Sequence, residues 1–395
     1  MTQFFAEKQV AICGIGQSAV SRQAEVSPLR LTVDACLAAI SDAGLKTSDI
    51  DGLVSYPGAA DNATGFSPVG VHDVRLALGL KPTWYCSTAM ESAGQMSAIF
   101  AAIQALATRT VRHVLVFRTT GEASARARMQ GAMAWGGSEQ QVFGMWQWAA
   151  PYGAVSPAPW YALYATRYMH EYGLTPEQLG SIAVHSRKMA GLNPNAIYRE
   201  PITIDDYLAS RIISTPLRLY DCDVPVDGAT AFVLSRLDEA HDGPNPPIRI
   251  EAIGSAFDGG GLRQPVDLTS FGAEAAARMM WSRTDLKPKD VDVAQIYDGF
   301  SILTLHWLEA LGFCAKGEAG AFVELGDRIG IDGELPMNTS GGQLSAGRLH
   351  GFGHTYEACI QLWGRGERRQ VASPEVAITC NGAYGLGCML LTLHG

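Results

Sequence analysis

Three segments of the chain combine strand ends or glycines with side chains that can act as acids or bases. Tyr297 and Asp298 follow the apolar run VAQI, and Cys380 ends the run VAITC. Arg348 and His350 lie in the glycine-rich segment SGGQLSAGRLHGFGH. Ligands of α/β proteins gather at the carboxyl ends of strands, and histidine titrates near neutral pH. These five residues are therefore candidates for ligand binding and acid–base chemistry.

A fourth segment, WYCSTAMESAGQMSAIF, holds a candidate nucleophile, Cys86. Thr88 and Glu91 have the spacing of a capping box, which predicts a helix over residues 88–107. The positive end of that helix would lower the pKa of a nearby thiol and stabilise an anion. Simple burial in the core is the alternative for Cys86 and Cys380, and ring packing is the alternative for Tyr297.

The histidine and cysteine spacings do not indicate a metal site. His350 and His354 lie four residues apart, but Gly351 and Gly353 between them disfavour a helix, and no third ligand is evident. Eight cysteines are scattered without a CxxC pair, which predicts neither a zinc site nor a disulfide scaffold. We therefore expect no metal, and a reducing, cytoplasmic compartment.

Composition narrows the classes of partner. The 395 residues are 47% hydrophobic and 17% charged, with 43 glycines, which predicts a large core and many tight turns. The formal net charge of -9 offers no basic surface for nucleic acid or an anionic membrane. No stretch has 18 uninterrupted apolar residues. We expect a soluble, unprocessed protein that binds small molecules or proteins.

An internal repeat indicates how the candidate residues are positioned. LKTSDIDGLVSY (45–56) and LKPKDVDVAQIY (286–297) align without gaps at an offset of 241 residues. Each copy combines a strand, a helix, an acidic turn and a buried strand, which is typical of a predominantly parallel sheet covered by helices. The sequence therefore predicts two α/β halves related by pseudo-symmetry.

The first strand and helix illustrate this pattern. The run QVAICGIG predicts a strand, and Ser27 and Pro28 have the residue types of a helix N-cap and first position. Gly14, Gly16 and Ala19 imitate part of a dinucleotide-binding fingerprint. The predicted helix begins well beyond Ala19, whereas the fingerprint opens directly into its helix, so nucleotide binding is not favoured.

The predicted domains follow the repeat. Residues 1–120 with 215–240 form the first half, residues 241–395 form the second, and residues 121–214 form an inserted loop or lid. Residues 121–172 are rich in Met, Trp, Tyr, Gly and Pro without a sustained period. A long loop of this kind is typical of a substrate lid or a dimer contact, and the sequence favours neither over the other.

The candidate segments, taken in order, resemble the thiolase superfamily, and in particular its sterol-carrier-protein thiolase and lipid-transfer-protein branch. YDGFS resembles the strand-end motif of that branch, and EALGFCAKGEAGAF, LPMNTSGG, GRLHG and ITCNG resemble its later motifs. The resemblance spans essentially the whole chain. It implies a duplicated fold of two α/β halves, with mixed five-stranded sheets and covering helices in layers.

The resemblance also implies partners. The substrate is expected to be a coenzyme A thioester, with no cofactor bound permanently. A homodimer is expected, as is a small partner protein with an OB-fold and a zinc ribbon.

Departures from the family pattern indicate which reaction to expect. The position of the thiolase nucleophile falls at Glu91 or Ser92, and the Gly-His-Pro pattern reads Gly347-Arg348-Leu349. Claisen chemistry through an acyl-cysteine needs a thiolate and a histidine base, so both losses disfavour it. The resemblance instead favours retro-aldol cleavage of a 3-hydroxyacyl-CoA of the lipid or steroid side-chain type, as in lipid-transfer-type aldolases.

We assign roles as hypotheses. Tyr297 is the base or proton relay, assisted by His350, and Cys380 contributes acid and enolate stabilisation. Arg348 either lowers the pKa of the phenol or replaces a tyrosine that some aldolase relatives carry there. The expected substrate-binding residues are Glu91, Ser92, Asp298, Gly342, Gly382 and Tyr384.

Two alternatives remain open at this point. One is an acetyl-CoA acyltransferase or thiolase that uses Cys86 or Cys380 as its nucleophile. The other is a non-catalytic carrier of lipid or acyl-CoA, or a subunit of a larger complex.

Overall fold

The computed structural model describes residues 4–59, 65–89, 92–129, 146–240, 242–257, 267–270, 272–382 and 386–393. The strands are β1 (Val10–Gln17), β2 (Gly52–Ser55), β3 (Trp84–Ser87), β4 (His113–Gly121), β5 (Ile212–Ser214), β6 (Leu217–Arg218), β7 (Asp227–Arg236), β8 (Ile248–Ala256), β9 (Val293–Gln295), β10 (Val376–Asn381) and β11 (Leu386–Thr392). The α-helices are α1 (Pro28–Asp42), α2 (Val71–Leu78), α3 (Ser97–Ala107), α4 (Glu122–Met129), α5 (Trp146–Ala149), α6 (Pro157–Tyr172), α7 (Pro176–Ala190), α8 (Ile204–Ala209), α9 (Leu237–Ala240), α10 (Ala273–Trp281), α11 (Ser301–Ala310), α12 (Ala319–Val323) and α13 (Phe352–Leu362).

Nine strands form one mixed sheet in the order β3-β2-β4-β7-β1-β8-β11-β10-β9. Its two ends repeat each other, because β2-β4-β7-β1 and β9-β10-β11-β8 have the same order and the same parallel or antiparallel pairings. β1 and β8 join the halves through the antiparallel pairs Ala11–Arg249 and Ile12–Ile248. The predicted duplication is confirmed.

The halves differ at their outer edges. The first half has five strands, with β3 parallel to β2 at its edge. In the described part of the second half, the corresponding place holds a single parallel bridge between Ala294 and Met337. The next residue, Asn338, has a φ of +45°, which ends the extended backbone. The expected five-stranded sheet is therefore present in the first half and reduced to four strands and one bridge in the second.

Glycines allow α1 and α10 to lie directly on the sheet. A Cβ atom at Gly16 would lie 2.1 Å from the carbonyl oxygen of Ala35 in α1, and one at Gly254 would lie 2.0 Å from that of Ala276 in α10. The glycines of β1 thus serve close helix–strand packing. The predicted start of α1 is confirmed, because the Ser27 side chain accepts a hydrogen bond from the backbone N–H of Arg30 at 3.2 Å.

The helices form layers on both sides of the strands. α3 and α13 share one hydrophobic core with side chains from strands of both halves, which places them centrally. α1 packs in a separate core on the first half, and α6, α7, α10 and α11 pack in another on the second. Burial of each Leu or Ile side chain in these cores contributes about 1.5–3 kcal/mol.

The segment between the halves is mostly helical where it is described. We expected a loop or lid over residues 121–214, but α4 to α8 lie within it. α6 buries an aromatic face whose members are Trp160, Tyr161, Tyr164 and Tyr168. The expectation of a loop is wrong for this part, because two prolines in the first turn of α6 and its many aromatic residues obscured the helical period. Part of the Met- and Trp-rich run lies outside the described residues.

None of the helices described here is long and apolar enough to cross a membrane.

Candidate active site

Six of the predicted site residues lie in one region where the two halves meet, namely Tyr297, Asp298, Gly342, Arg348, His350 and Cys380. Tyr297 and Asp298 follow β9, and the glycine-rich loop between Asn338 and α13 lies against them. Arg118 reaches the loop from β4 of the other half, where its Nη2 lies 2.6 Å from Nδ1 of His350. The two residues are 232 positions apart in the chain, so only the fold brings them together.

Asn338 ties the loop to the end of β9. Its side-chain Oδ1 accepts a hydrogen bond from the backbone N–H of Ile296 at 2.7 Å, and its Nδ2 donates to the carbonyl of the same residue at 2.9 Å. His185 of α7 lies 2.8 Å from the carbonyl oxygen of Met337 through its Nε2. The start of the loop is thus fixed by hydrogen bonds from two elements.

Asp298 holds the next part of the loop, a π-helical turn at Gly342–Ala346. Its carboxylate accepts from the backbone N–H of Gln343 at 2.9 Å and lies 3.0 Å from Nε2 of His354. A Cβ at Gly342 would lie 1.9 Å from Asp298 Oδ2. Asp298 and Gly342 therefore shape the loop, and their predicted contact with substrate stays a prediction.

Arg348 is held by two carboxylates. Its Nη1 donates to Asp223 at 2.8 Å, and its Nη2 donates to Glu122. Burial lowers the pKa of Arg348, but the charges of Asp223 and Glu122 outweigh this effect and raise the pKa overall. Burial also raises the pKa of Asp223 to about 7, although Arg348 opposes that shift. Arg348 is thus a permanent cation inside an ion-pair cluster.

The phenol of Tyr297 does not have the lowered pKa that we expected. Burial raises its pKa, and the charge of Asp223 adds to the shift. Arg348 acts in the lowering direction, but burial exceeds it because the side chain is only 6% exposed. The expected depression is therefore wrong, and Tyr297 is a neutral phenol at pH 7. Its assignment as base or relay stays a prediction.

His350 is neutral for a similar reason. Burial lowers its pKa well below the usual value, and the charges of Arg118, Arg348 and Arg126 add to the shift. Its Nε2 lies 3.9 Å from Oε1 of Glu122. The backbone of His350 has a φ of +50°, which is uncommon for a residue with a side chain and is often found at functional sites.

Cys380 is fully buried in β10. Its Sγ accepts a hydrogen bond from the backbone N–H of Tyr297 at 3.4 Å, so it packs directly beneath the candidate base. Burial raises the thiol pKa well above its usual value. Such a thiol keeps its proton and is a poor nucleophile. The structure gives Cys380 a packing contact, and its predicted role as an acid stays a prediction.

Cys86 lacks the activation that the sequence suggested. α3 begins at Ser97 rather than Thr88, and the Ser97 hydroxyl donates to Thr88 Oγ1 at 2.8 Å. The predicted helix start at Thr88 is therefore wrong, since a 3₁₀ turn and a bend precede α3. Cys86 lies on the edge strand β3, where burial raises its thiol pKa.

The remaining predicted residues are placed as follows. Ser92 precedes α3 and donates its hydroxyl to the carbonyl of Ala89. Gly382 follows β10 with a φ of +102°. Glu91 and Tyr384 lie outside the described residues. Substrate binding by these four residues stays a prediction.

Sequence reasoning missed Arg118, Glu122 and Asp223. Arg118 had a signal, because it directly follows the apolar run VLVF in a strand that is buried throughout. A charge in such a place usually has a partner. Glu122 and Asp223 had no signal, because their partner Arg348 lies more than 120 positions away in the chain. Across the residues described, no cluster of histidine, cysteine or acidic side chains could hold a metal ion.

The chain resembles known proteins along most of its length. Residues 254–390 match the family described as "Thiolase C-terminal domain-like". The chain is 35% identical over 362 residues to a "Steroid side-chain-cleaving aldolase" of Thermomonospora curvata, with 88% of each protein covered. It is also 35% identical over 368 residues to the "17-hydroxy-3-oxo-4-pregnene-20-carboxyl-CoA lyase" of Mycobacterium tuberculosis, covering 90% of this chain and 92% of that one.

A solved structure extends the likeness to three dimensions. The protein named "Ltp2-ChsH2(DUF35) aldolase" superposes with a TM-score of 0.87 at 32% identity, and the match covers 98% of both chains. The duplicated sheet agrees with this likeness. The expected family is thus confirmed, and the chain belongs to the thiolase superfamily, in its lipid-transfer-type branch of thiolase-like aldolases.

Proposed function

We propose that the chain is an aldolase that cleaves a carbon–carbon bond in a 3-hydroxyacyl-CoA of the steroid side-chain type. The observation that carries this proposal is the buried phenol of Tyr297, whose backbone N–H contacts Cys380 and whose pKa responds to the charges of Asp223 and Arg348. Neither candidate thiol is activated, because burial raises the pKa of both Cys86 and Cys380. The relatives named as aldolase and lyase support the same reaction. Retro-aldol cleavage needs acid–base groups and no covalent nucleophile.

The reaction has three steps. A base removes the proton of the β-hydroxyl group, and the oxygen forms a carbonyl as the Cα–Cβ bond breaks. The electron pair of that bond passes to the thioester, which becomes an enolate held by hydrogen-bond donors. A proton then returns to Cα, and the carbonyl product and the shortened acyl-CoA leave.

Tyr297 acts in this scheme as a relay for the hydroxyl proton. Its raised pKa means that it transfers a proton only as another group accepts one. Asp223, whose pKa is raised to about 7, is an acceptor suited to that transfer near neutral pH. Arg348 holds this carboxylate at 2.8 Å and keeps it in place.

The acyl group is expected to be bulky and apolar. Phe300, two residues beyond Asp298, packs on Tyr161 of α6 with ring centroids 4.7 Å apart. Both rings are buried in the core beside the polar centre, and the expectation of a bulky acyl group rests on the relatives whose names refer to steroid substrates.

We propose further that the chain forms a homodimer and works with a small OB-fold, zinc-ribbon partner protein. The structure named for both Ltp2 and ChsH2(DUF35) supports the idea of such a partner. The cytoplasm is the proposed compartment, because the eight cysteines are all free thiols. Coenzyme A enters as part of the substrate, and no permanently bound cofactor is proposed.

Replacement of Tyr297 by phenylalanine tests the reaction. Tyr297→Phe removes the proton-transferring oxygen and keeps the ring, so kcat for cleavage of a 3-hydroxyacyl-CoA should fall by about 100-fold or more while acyl-CoA binding is retained. Cleavage is measured by the appearance of the carbonyl product, and binding by calorimetry.

Cys86→Ser is the matched control and should leave cleavage unchanged. Loss of activity in Cys86→Ser, or fast iodoacetamide labelling of Cys86 that acyl-CoA prevents, would favour the acyltransferase alternative. The carrier alternative would be favoured if the wild-type protein showed no turnover, with or without its partner, and if Tyr297→Phe bound acyl-CoA as tightly as the wild type.

A further inference from the structure

We infer that Arg118 is a positioning residue that fixes His350 as its Nε2–H tautomer, so that His350 serves as a neutral hydrogen-bond donor and not as a base. This inference deepens the proposed function and rests on it for the catalytic role. Its structural part, the tautomer of His350, stands on the geometry alone.

The first observation is the direction of the hydrogen bond between the two residues. Arg118 Nη2 lies 2.6 Å from His350 Nδ1. A guanidinium has only N–H donors and does not lose its proton at physiological pH. Nδ1 of His350 must therefore present its lone pair to Arg118. The single ring proton of the neutral imidazole is then on Nε2.

The second observation is that the fold holds Arg118 rigidly. The residue is 1% exposed, and its Nη1 donates to the carbonyl of Tyr56 at 3.0 Å. The guanidinium lies over the ring of Phe66, 4.6 Å from its centroid. The same Phe66 ring packs on His350 with centroids 4.7 Å apart. Arg118 and His350 are thus fixed relative to each other by an aromatic ring that contacts both.

The third observation concerns the charged side chains near His350. Arg118 approaches from β4, Arg348 from the same loop, and Arg126 and Glu122 from α4. Three cations oppose protonation of the ring, and Glu122 faces the Nε2 edge from 3.9 Å. An imidazole in this setting can donate a hydrogen bond from Nε2 but has no free nitrogen that can accept a proton.

This arrangement gives His350 and Tyr297 different roles in the reaction. The enolate that forms during cleavage needs donors that are already oriented, and a fixed neutral imidazole N–H meets that need without giving up its proton. Proton removal is then carried out by Tyr297 with Asp223, the carboxylate proposed above as the proton acceptor. His350 would then donate a hydrogen bond to the enolate and would not assist proton removal.

A double-mutant cycle tests whether Arg118 acts through His350. His350→Ala should lower kcat by about 100- to 1000-fold, as expected for loss of one enolate donor. Arg118→Met should lower kcat by about 10-fold in the wild-type background, because the donor loses its orientation, and should have no further effect in His350→Ala. An equal loss in both backgrounds would show that Arg118 is merely structural and would overturn the inference.

The conservative variant His350→Gln separates donation from proton abstraction. Its amide keeps an acceptor for Arg118 and an N–H donor, but it cannot act as a base. It should therefore retain at least about 10-fold more activity than His350→Ala, in line with the value of a single donor. Activity as low as that of His350→Ala would assign the base role to His350 and contradict the inference.

A measurement without turnover keeps the test independent of the proposed function. Nitrogen-15 NMR of the histidine-labelled protein, with His350→Gln used for assignment, should show His350 as the Nε2–H tautomer throughout pH 6–8. In Arg118→Met both tautomers of His350 should appear. Arg30→Met replaces an exposed arginine on α1 and serves as the control, in which the His350 signal should be unchanged. An Nδ1–H or titrating signal in the wild-type protein would sink the inference even if cleavage is observed. A fixed Nε2–H signal without cleavage would instead reject the proposed reaction.

Discussion

At the residue scale, burial keeps three histidines neutral on α7, on α11 and in the glycine-rich loop. Burial lowers the pKa of His185 to about 4 and that of His306 to about 3, and it lowers the pKa of His350 well below the usual value. His185 lies on α7, where its Nε2 meets the carbonyl of Met337 at the start of the glycine-rich loop. His185 thus supports the loop as a neutral donor without adding charge to the site.

Burial of His185 makes the free energy of unfolding depend on pH. Its pKa is near 4 in the folded protein and about 6.5 when unfolded, so the unfolded chain binds the extra proton between these values. Stability from the neutral residue is complete above pH 6.5 and is lost as the pH falls towards 4. His185→Gln removes this titration. The wild type is destabilised as the pH falls from 8 to 5, whereas the variant is not. The difference in unfolding free energy between them should therefore be smaller at pH 5 than at pH 8 by about 2 kcal/mol.

Urea denaturation of the wild type and the variant at pH 8, 6.5 and 5 measures this difference. A constant difference between the wild type and His185→Gln across this range would mean that His185 is not held neutral by the fold.

At the element scale, the site depends on how the end of β9 engages the π-helical turn. Asp298 accepts hydrogen bonds from the turn, and Gly342 leaves space for that carboxylate. The two residues lie far apart in the chain but form one contact between elements. The glycine is required both by its φ of +56° and by the closeness of Asp298.

Two glycine variants separate these requirements. Gly79 ends α2 with a φ of +65°, and nothing lies within 4 Å of a Cβ built on it. Gly79→Ala should therefore cost only the left-handed backbone, about 1 kcal/mol of unfolding free energy. Gly342→Ala adds a clash with Asp298 and should cost at least about 2 kcal/mol more, with loss of cleavage. Equal costs in thermal unfolding would show that the loop adapts to the added methyl group.

At the scale of the whole molecule, the β3 edge of the sheet bears on assembly, because no further strand pairs with it among the described residues. β3 is the outermost strand of the first half, and its Tyr85 side chain is 65% exposed. An unpaired edge strand with exposed aromatic surface is suited to pairing with another chain. The Tyr152 side chain, which follows α5 in the segment between the halves, is also exposed, at 86%.

We predict that the expected homodimer forms through the β3 edge. Tyr85→Lys places a charge on that edge and should shift the protein to monomer in sedimentation experiments at micromolar concentration. Tyr152→Lys should leave the dimer intact. The reverse pattern would place the contact in the segment between the halves, and a wild-type protein that is fully active as a monomer would contradict the homodimer itself.

Some expectations from the sequence failed because they rested on local motifs alone. Thr88 and Glu91 have capping-box spacing, yet α3 begins at Ser97 because Thr88 instead donates its backbone N–H to the carbonyl of Ser55 at the end of β2. α6 was not predicted, because its face of aromatic residues is recognisable only once the core that it covers is known. In both cases contacts with distant elements outweighed the local pattern.

The sequence by itself determined the duplication, the strand that precedes Tyr297 and the strand that holds Cys380, the family, and the absence of cysteine at position 92. These features are encoded in short-range periodicity and motif order, which a linear chain displays directly. Only the tertiary structure decided that Tyr297 is a buried neutral phenol and that Arg118 faces His350. Protonation and tautomer depend on burial and on charges contributed by distant parts of the chain, so no local pattern can specify them.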